Sequence, residues 1–477
     1  MRAFQRKLAP ANRPSDDFID NLFAFRAFGR STETVVDGDI PYFVNEYWTS
    51  RQRQSHALHE VSYRACFKAE LPRFFVERLT GPGEVVYDPF MGRGTALLEA
   101  ALMGRRVAGN DVNPLSRLLI RPRLAPPALA DITQRLGEID WRADIESEDR
   151  DLLVFFHPET LAEIVALRRH LLKREAERID AVDDWIRMVA LGRLTGHSSG
   201  FFSVYTLPPN QAVGVAAQKK INADRNQIPP RRHVATLILR KSKSLLRDGG
   251  PLHLPLEAGL PQARQGEPST RGGEGRVRGH ALSGVGASPS PSPFGLASLA
   301  GSPTRPPPRR GGSGGSATSS AIPLSTRGML TTGPAWETPT LPDSSVSLIV
   351  TSPPFLDVVD YRGDNWLRCW FAGINPDEVA IDRHKTIPEW NRFVRRCLEE
   401  FARVVRPGGH IAFEVGEVRG GTVLLERSVV TAAEGLPLTL IGVMVNDQAF
   451  TKTAHCWGVG NNRRGTNTNR IVLFRRA

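Results

Sequence analysis

The stretch EVVYDPFMGRGTALLEAALMGRRVAGNDVN, residues 84–113, decides the fold. It opens with a short apolar run at 84–87, EVVY, that predicts a buried strand. Residues 95–103, TALLEAALM, predict a helix, and residues 106–109, RVAG, predict a second strand. A strand, a helix and a further strand in this order form a βαβ unit, which is typical of the α/β class.

The turn between the first strand and the helix reads DPFMGRGT, residues 88–95. Glycine lets a backbone turn tightly and approach a ligand, and the helix that follows presents free N–H groups at its N-terminus. The motif lacks the Gly-Lys-Ser/Thr of a phosphate-binding loop, and Leu97 stands where a dinucleotide fingerprint has its third glycine. Asp111 follows the next strand, where such folds place a carboxylate against ribose hydroxyls. The pattern favours a ligand-binding turn, and a structural turn in another α/β protein is the alternative.

The alternation of strands and helices continues beyond this unit. Residues 158–179 and 234–246 predict helices, so the middle of the chain is expected to be mainly helical. A continuous apolar run at 346–350, VSLIV, predicts another buried strand. The remaining predicted elements are a helix at 389–405, a strand at 410–415, a helix near 424–433 and strands at 438–445 and 471–474.

A change of composition interrupts this pattern between residues 249 and 333. Of the 60 residues from 261 to 320, 33 are Gly, Pro or Ser. Such a segment buries too little apolar surface to offset the conformational entropy that ordering it would cost. We therefore expect a disordered, low-complexity insertion at 249–333 between two folded stretches.

Charge and cysteine content narrow the class of protein further. The 477 residues include 62 Lys+Arg and 50 Asp+Glu, a formal net charge of +12 that favours an acidic partner such as nucleic acid. Residues 261–320 hold seven Arg and two Glu, so +5 of this charge belongs to the insertion. No apolar run reaches the ~18 residues of a membrane span, and the N-terminus lacks a secretory signal, so we expect a cytoplasmic protein without a membrane partner. The four cysteines show no zinc-ligand or disulfide-framework spacing, so we expect no metal: Cys66, Cys369, Cys397 and Cys456.

A second motif, TSPPF at 351–355, directly follows the apolar run VSLIV. Two successive prolines end the strand and fix a rigid turn. An exocyclic nucleobase amine is a poor nucleophile, and hydroxyl and carbonyl acceptors that grip its hydrogens would favour a pyramidal nitrogen. An adjacent aromatic ring would hold the base by stacking. Ser-Pro-Pro also occurs in linkers, but its position after a buried strand favours a functional site.

Together the two motifs resemble the class I, S-adenosylmethionine-dependent amino-methyltransferases that modify DNA bases. The resemblance is strongest over residues 56–125 and 334–477. It implies a Rossmann-like methyltransferase sheet with helices on both faces, S-adenosylmethionine as cofactor and double-stranded DNA as substrate. The Ser-Pro-Pro-aromatic form is similar to that of cytosine-N4 enzymes rather than to the Asp/Asn-Pro-Pro-Tyr/Phe form of adenine-N6 enzymes. The implied domains are an N-terminal extension at 1–55, a cofactor-binding half at 56–125, a mainly helical, possible target-recognition region at 126–248, the insertion at 249–333 and a catalytic half at 334–477.

The resemblance also implies roles for individual residues. Ser352, with the carbonyls around Pro353 and Pro354, would hold the target amine, and Phe355 would stack on a base flipped out of the duplex. The residues implied at the methionine end of the cofactor are Asp88, Phe90, Gly92, Gly94 and Thr95, with Phe67 beside them, whereas the ribose would lie against Asp111 and Asn113.

Two further features qualify these roles. Family members often carry an acidic turn before the catalytic strand, whereas residues 332–336 read TGPAW, so no acid is assigned to the cofactor's adenine. None of the four cysteines follows a proline, which disfavours methylation at cytosine carbon 5.

Two basic stretches are candidate nucleic-acid surfaces. The acid-free run at 451–476 supplies Arg463, Arg464, Asn467 and Arg470 as candidate contacts to phosphates and base edges, with a solvated hairpin as the alternative. In the middle region, Phe201, Phe202 and Tyr205 lie near several Lys and Arg residues, and they are either part of a recognition surface or helical core.

The sequence therefore predicts a site-specific DNA methyltransferase acting on cytosine N4, with a cognate restriction endonuclease as a candidate partner. Three alternatives stay open: an adenine-N6 DNA methyltransferase, an RNA amino-methyltransferase and an inactive nucleic-acid-binding homologue. The recognition sequence and the oligomeric state are not encoded in any motif.

Overall fold

The protein, described by a computed structural model, is organised around a nine-stranded sheet. The strands are β1 Glu33–Asp37, β2 Ile40–Asn45, β3 Val85–Asp88, β4 Arg106–Asp111, β5 Met329–Thr332, β6 Val346–Thr351, β7 Val405–Val415, β8 Leu438–Asp447 and β9 Thr468–Arg476. Their order across the sheet is β1-β2-β8-β9-β7-β6-β3-β4-β5. The structure describes residues 17–49, 56–61, 63, 67–206, 213–248, 328–354, 361–381, 384–416, 423–447 and 468–477.

The order of the strands reverses in the middle of the sheet. Strand β3 pairs in parallel with both β4 and β6, so the chain builds outward on one side through β4 and β5 and on the other through β6 and β7. Strand β9 runs antiparallel between β7 and β8. This is a Rossmann-like α/β sheet. In such sheets ligands bind at the carboxyl ends of the strands where the order reverses, which here means the ends of β3 and β6.

Helices cover both faces of the sheet, as the sequence predicted. The described helices are α1 Asp17–Ala24, α2 Glu70–Leu79, α3 Thr95–Leu102, α4 Pro114–Leu124, α5 Leu129–Glu138, α6 Pro158–Glu177, α7 Ala181–Leu191, α8 Val215–Asp224, α9 Val234–Leu245, α10 Tyr361–Ala372, α11 Ile387–Val404 and α12 Leu425–Ala432. Neighbouring strand residues point to opposite faces, so Tyr87 and Ile349 pack with α11 and α12, whereas Val86 and Leu348 pack with α2 and α3.

Helices α5 to α9 form a separate apolar cluster with α4 and α10. Trp185 and Phe155 are fully buried in it, and Cys369 of α10 joins them. The middle of the chain is thus mainly helical, as expected, and α10 connects it to the strand end that carries the Ser-Pro-Pro motif.

The N-terminal extension contributes more to the sheet than the sequence indicated. Helix α1 and the β1–β2 hairpin were not predicted, yet β2 pairs in parallel with β8 and extends the sheet. The buried Asn446 side chain accepts hydrogen bonds from the backbone N–H groups of Tyr47 and Trp48, at 2.7 and 3.1 Å. This contact joins the extension to the second half of the chain.

The predicted insertion ends earlier than expected. Residues 329–332, close to the end of the predicted segment, form β5 and pair in parallel with β4. The sequence MLTT is apolar and β-branched, and pairing with a buried neighbour gives it a place in the sheet that composition alone did not reveal. The rest of the predicted insertion, apart from Gly328 and Gly333, lies outside the described residues.

Candidate active site

A cavity that is partly open to solvent lies at the carboxyl edge of the sheet. It is lined by residues that follow β3, β4, β5 and β6, together with two from other segments: Pro89, Phe90, Gly92, Asp111, Val112, Asn113, Gly333, Ala335, Ser352, Pro354, Tyr63 and Ile381.

The glycine turn forms one wall of this cavity. Gly92 and Gly94 have φ angles of +46° and +79°, in the region that side chains disfavour. A Cβ atom on Gly94 would lie 2.4 Å from Cγ1 of the buried Ile120. Only glycine therefore fits at position 94, where the chain turns into α3.

Asp88 lies buried at the end of β3. Its Oδ1 accepts hydrogen bonds from the Thr351 hydroxyl at 2.7 Å and from the Phe90 N–H at 3.1 Å. Burial raises the pKa of Asp88 to about 7, and these two hydrogen bonds oppose the rise. The carboxyl group thus links β3 to β6 and titrates near neutral pH.

Asp111 lies at the end of β4 and lines the cavity. Its Oδ2 accepts from the Gly92 N–H at 2.8 Å and its Oδ1 from the Asn113 N–H at 2.9 Å. Burial raises the pKa of Asp111, with both backbone hydrogen bonds opposing. A carboxylate has about four lone pairs, so the group keeps acceptor capacity for a ligand hydroxyl. Asn113 in turn accepts from the Leu115 N–H at 3.0 Å and caps α4.

The Ser352 hydroxyl reaches a second buried carboxylate, that of Glu414 on β7. Ser352 Oγ donates to Glu414 Oε2 at 2.5 Å, and Asn469 Nδ2 on β9 donates to Glu414 Oε1 at 3.1 Å. Burial raises the pKa of Glu414, and the hydrogen bonds from Ser352 and Asn469 oppose the rise. Sequence analysis did not select Glu414, because a strand end near the active cleft explains the Glu414 and Glu417 pair without a catalytic role.

The carbonyl of Pro354 is held from α11. The indole N–H of Trp390, which is fully buried, donates to Pro354 O at 3.0 Å. This hydrogen bond connects the turn after β6 to the first turn of a long helix. Trp390 is a second residue that sequence reasoning missed, since a buried Trp on an amphipathic helix reads as ordinary core.

Aromatic rings extend from the cavity wall formed by Phe90. The Phe90 ring centroid is 5.8 Å from that of Phe393, which is 5.8 Å from that of Trp336 in an edge-on arrangement. The guanidinium of Arg396 lies 4.3 Å from the Trp336 ring. Trp336 belongs to the TGPAW segment, so the place where the family often has an acidic turn is occupied here by an aromatic contact.

The structure brings together most of the residues implied by the resemblance. Phe90, Gly92, Asp111, Asn113, Ser352 and Pro354 all line the cavity. Pro353 and Asp88 are buried, and each is the sequence neighbour of a residue that lines the cavity. Gly94 and Thr95 lie at the start of α3. Phe67 packs instead against the apolar cluster of α2 and α3. Phe355 lies outside the described residues.

Of the candidate nucleic-acid contacts, Arg463, Arg464 and Asn467 lie outside the described residues. Arg470 lies in β9, opposite Val415 and Val445, and its guanidinium is 2.7 Å from the buried carboxylate of Glu426. An internal ion pair thus engages Arg470.

The aromatic residues of the middle region have mostly a structural environment. Phe201 and Phe202 are buried, which favours the helical-core alternative for both. Tyr205 is half-buried, and the guanidinium of Arg225 lies 3.8 Å from its ring centroid.

Two kinds of feature are absent from the part of the chain that the structure describes. No described helix has the length and apolar character of a membrane span. No group of three or more His, Cys, Asp or Glu side chains in the same residues has the geometry to hold a metal ion.

Comparison with known proteins gives a family match in the first part of the chain. The model of the N6_N4_Mtase family, described as DNA methylase, matches residues 33–116. The type II methyltransferase M.MvaI of Kocuria varians is 28% identical over 112 residues, 23% of this chain and 23% of its own length. M.MjaII of Methanocaldococcus jannaschii, another type II methyltransferase, is 32% identical over 74 residues, 16% of this chain and 14% of its own. The chain therefore spans less than a quarter of the length of these relatives.

Structural comparison adds two solved proteins. A Thermus thermophilus protein described as a DNA modification methylase, complexed with S-adenosyl-L-methionine, matches 30% of this chain and 53% of its own, at 22% identity and a TM-score of 0.19. The rRNA methyltransferase AviRa of Streptomyces viridochromogenes matches 88% of this chain and 89% of its own, at 12% identity and a TM-score of 0.29. These TM-scores are low, so the fold assignment depends on the strand order itself. The similarity that the sequence comparisons support is to the N6/N4 DNA methylases, and the segment 33–116 that carries it contains the glycine turn, Asp111 and Asn113.

Proposed function

We propose that this protein is a site-specific DNA methyltransferase that transfers a methyl group from S-adenosylmethionine to the N4 amine of cytosine in duplex DNA. The observation that carries the proposal is the meeting of two motifs that are far apart in sequence. Gly92 and Asp111 line the same cavity as Ser352 and Pro354. A cofactor turn and an amine-holding turn in one cavity are the parts that direct amino methylation requires.

The residues of the cavity fit S-adenosylmethionine by their chemistry. Asp111 lines the cavity with a carboxyl group suited to ribose hydroxyls, and Asp88, which directly precedes the lining residue Pro89, supplies one suited to an ammonium group. Gly92 leaves the backbone open to close approach, since a Cβ there would meet no atom nearer than 3.7 Å. When bound, S-adenosylmethionine supplies an electrophilic methyl group.

The target amine would be held by the other wall. Ser352 Oγ and the carbonyls around Pro353 and Pro354 are acceptors for its two N–H groups. Because Pro354 O has two lone pairs and Trp390 uses one, a second remains for a substrate. Withdrawing the hydrogens from the plane of the base would expose the nitrogen lone pair to the methyl group. Phe355 would stack on the flipped base.

One observation favours cytosine N4 over adenine N6, and a second disfavours methylation at cytosine carbon 5. The residue before the two prolines is Ser352, as in the cytosine-N4 form that the tetrapeptide resembles. No Pro-Cys dipeptide is present for a covalent carbon-5 route. We also propose, as part of this function, that residues 126–248 and the part of the run 451–476 that precedes β9 contact DNA, that the protein acts in the cytoplasm, and that a restriction endonuclease of matching specificity accompanies it.

The test is to incubate the full chain with duplex DNA and methyl-labelled S-adenosylmethionine, then identify the product nucleoside by mass spectrometry. We expect N4-methylcytosine from the wild type, and a lower but measurable rate of labelling in a Ser352→Ala variant that still binds the cofactor by calorimetry. N6-methyladenine alone would transfer the assignment to the adenine class. Label in structured RNA but not in DNA would exclude DNA as the substrate, and absence of cofactor binding would exclude the enzyme altogether.

A further inference from the structure

The hydrogen-bonded chain Ser352–Glu414–Asn469 joins three strands behind the amine-holding wall. Glu414 is 6% exposed and follows Phe413, which pairs with Thr351 at the end of β6. Its two oxygens have one described donor each, the Ser352 hydroxyl at 2.5 Å and the Asn469 amide at 3.1 Å. No step of the proposed function uses Glu414.

When Glu414 is ionised, the chemistry of these groups fixes the direction of each hydrogen bond. An ionised carboxylate only accepts, and a serine hydroxyl has a single proton to donate. With that proton directed at Glu414 Oε2, Ser352 Oγ faces the cavity with lone pairs alone. A group of the substrate at this position must then donate a hydrogen bond, because two facing acceptors repel and leave each other unpaired.

We propose that Glu414 is a positioning residue that fixes the polarity of Ser352, so that the site accepts a base with an exocyclic N–H donor and rejects a base with a carbonyl oxygen at the same place. The inference rests on the proposed function and names the group that selects its substrate class. In cytosine the exocyclic group is an amine, whereas in uracil and thymine the corresponding group is a carbonyl. A site built to hydrogen-bond an N–H rejects the isosteric acceptor strongly, since its own buried group is left without a partner.

Asn469 determines how a substituted side chain would be oriented. Its amide Nδ2 donates to Oε1 of residue 414, so that atom must remain an acceptor. In Glu414→Gln the oxygen would therefore face Asn469, and the new NH₂ group would face Ser352. The amide would donate to Ser352 Oγ, and the serine proton would turn into the cavity toward the amine hydrogens. A single substitution of nearly equal shape thus reverses the polarity of the site.

The experiment measures kcat for methyl transfer to duplex DNA, with cofactor affinity by calorimetry, in four variants beside the wild type. We expect Glu414→Gln to lower kcat at least tenfold while the Kd for S-adenosylmethionine changes less than twofold. In Glu414→Gln with Asn469→Asp, residue 469 accepts from the new amide NH₂ group, the amide oxygen turns to Ser352, and we expect kcat to recover severalfold over the single variant. In the Ser352→Ala background, adding Glu414→Gln should change kcat less than twofold, because Glu414 acts through the hydroxyl.

The outcomes separate this inference from the proposed function. Wild-type protein that binds the cofactor but labels no nucleic acid would refute the function. An active wild type with an equally active Glu414→Gln variant would refute the positioning role alone. A double variant no more active than Glu414→Gln would also overturn it, since a purely structural defect is not repaired by a second substitution.

Discussion

The two walls of the cavity differ in where their support comes from in the sequence. On the cofactor side, Asp111 holds the backbone N–H of Gly92, 19 residues away, and that of Asn113, two residues away. On the amine side, Pro354 is held by Trp390, 36 residues away, and Ser352 by Glu414, 62 residues away. One motif carries most of its own support, and the other depends on later helices and strands.

This difference has a functional consequence. Substitutions within the glycine turn should damage the fold and the cofactor site together, because the same atoms serve both. Substitutions at the remote supports of Ser352 and Pro354 should instead lower methyl transfer while leaving cofactor binding nearly intact. Measuring kcat and cofactor affinity separately in each variant therefore tests whether the two walls differ in this way.

The largest effect is expected from Gly94→Ala. The new Cβ would combine a left-handed backbone at φ +79° with an overlap at 2.4 Å from Ile120. We expect the free energy of unfolding to fall by about 2–4 kcal/mol, from roughly equal contributions of backbone strain and overpacking. Urea unfolding measures the loss, and calorimetry should detect no binding of S-adenosylmethionine.

Gly104→Ala is the matched control for this change. Gly104 has a similar φ of +74°, but a Cβ there meets no atom within 4 Å. The free energy of unfolding should therefore fall only by the cost of backbone strain, about 1–2 kcal/mol, and cofactor affinity should stay normal. Equal losses in the two variants would mean that the contact with Ile120 is readily relieved and that the turn is less constrained than we infer.

The next largest effect is expected from Trp390→Phe. This change removes the N–H that holds Pro354 O and keeps most of the buried ring. We expect kcat for methyl transfer to fall about tenfold or more, because small displacements of positioning groups are costly, while cofactor affinity changes less than twofold.

Trp185→Phe provides a control matched in chemistry. Trp185 is also fully buried, and its indole N–H donates to Ser242 Oγ at 2.9 Å within the helical cluster. Both variants should lose about 1–2 kcal/mol of stability, but only Trp390→Phe should lose kcat. A comparable loss of kcat in both would show that global stability, not the hold on Pro354, limits the reaction.

The same contrast, between local and remote support, explains how much of each wall the sequence predicted. The βαβ unit, the glycine turn and Asp111 were found because short-range periodicity and turn chemistry encode them directly. The buried strand before Ser352 was found in the same way. These signals need no knowledge of distant residues.

Glu414, Trp390 and the strand β5 could not be found in this way, because their roles arise from pairing. Glu414 meets Ser352 only after β6 and β7 align, and MLTT becomes a strand only beside β4. The hairpin of the N-terminal extension is similar, since β2 gains its partner β8 from the other end of the chain. Long-range pairing, which a single sequence does not display, is what sequence reasoning lacked.

The smallest expected effect concerns the pH dependence of cofactor binding through Asp88. Burial raises the pKa of this carboxyl group to about 7, so below that pH the empty site holds it neutral. If the ionised form binds the ammonium group of S-adenosylmethionine, affinity falls as the pH decreases through 7. The ionised fraction is about tenfold smaller at pH 6 than at pH 8, and we expect the Kd to rise by about the same factor.

Calorimetry at both pH values, in buffers of different ionisation enthalpy, tests this directly, because binding below pH 7 should release a proton from Asp88. In Asp88→Asn the affinity should be low at both pH values and nearly independent of pH. Thr351→Val should move the change in Kd to higher pH, because the Thr351 hydroxyl donates to Asp88 and favours its ionised form. A wild-type Kd that is constant from pH 6 to 8 would mean that Asp88 stays neutral in the complex and acts as a link between β3 and β6, not as a ligand for the cofactor.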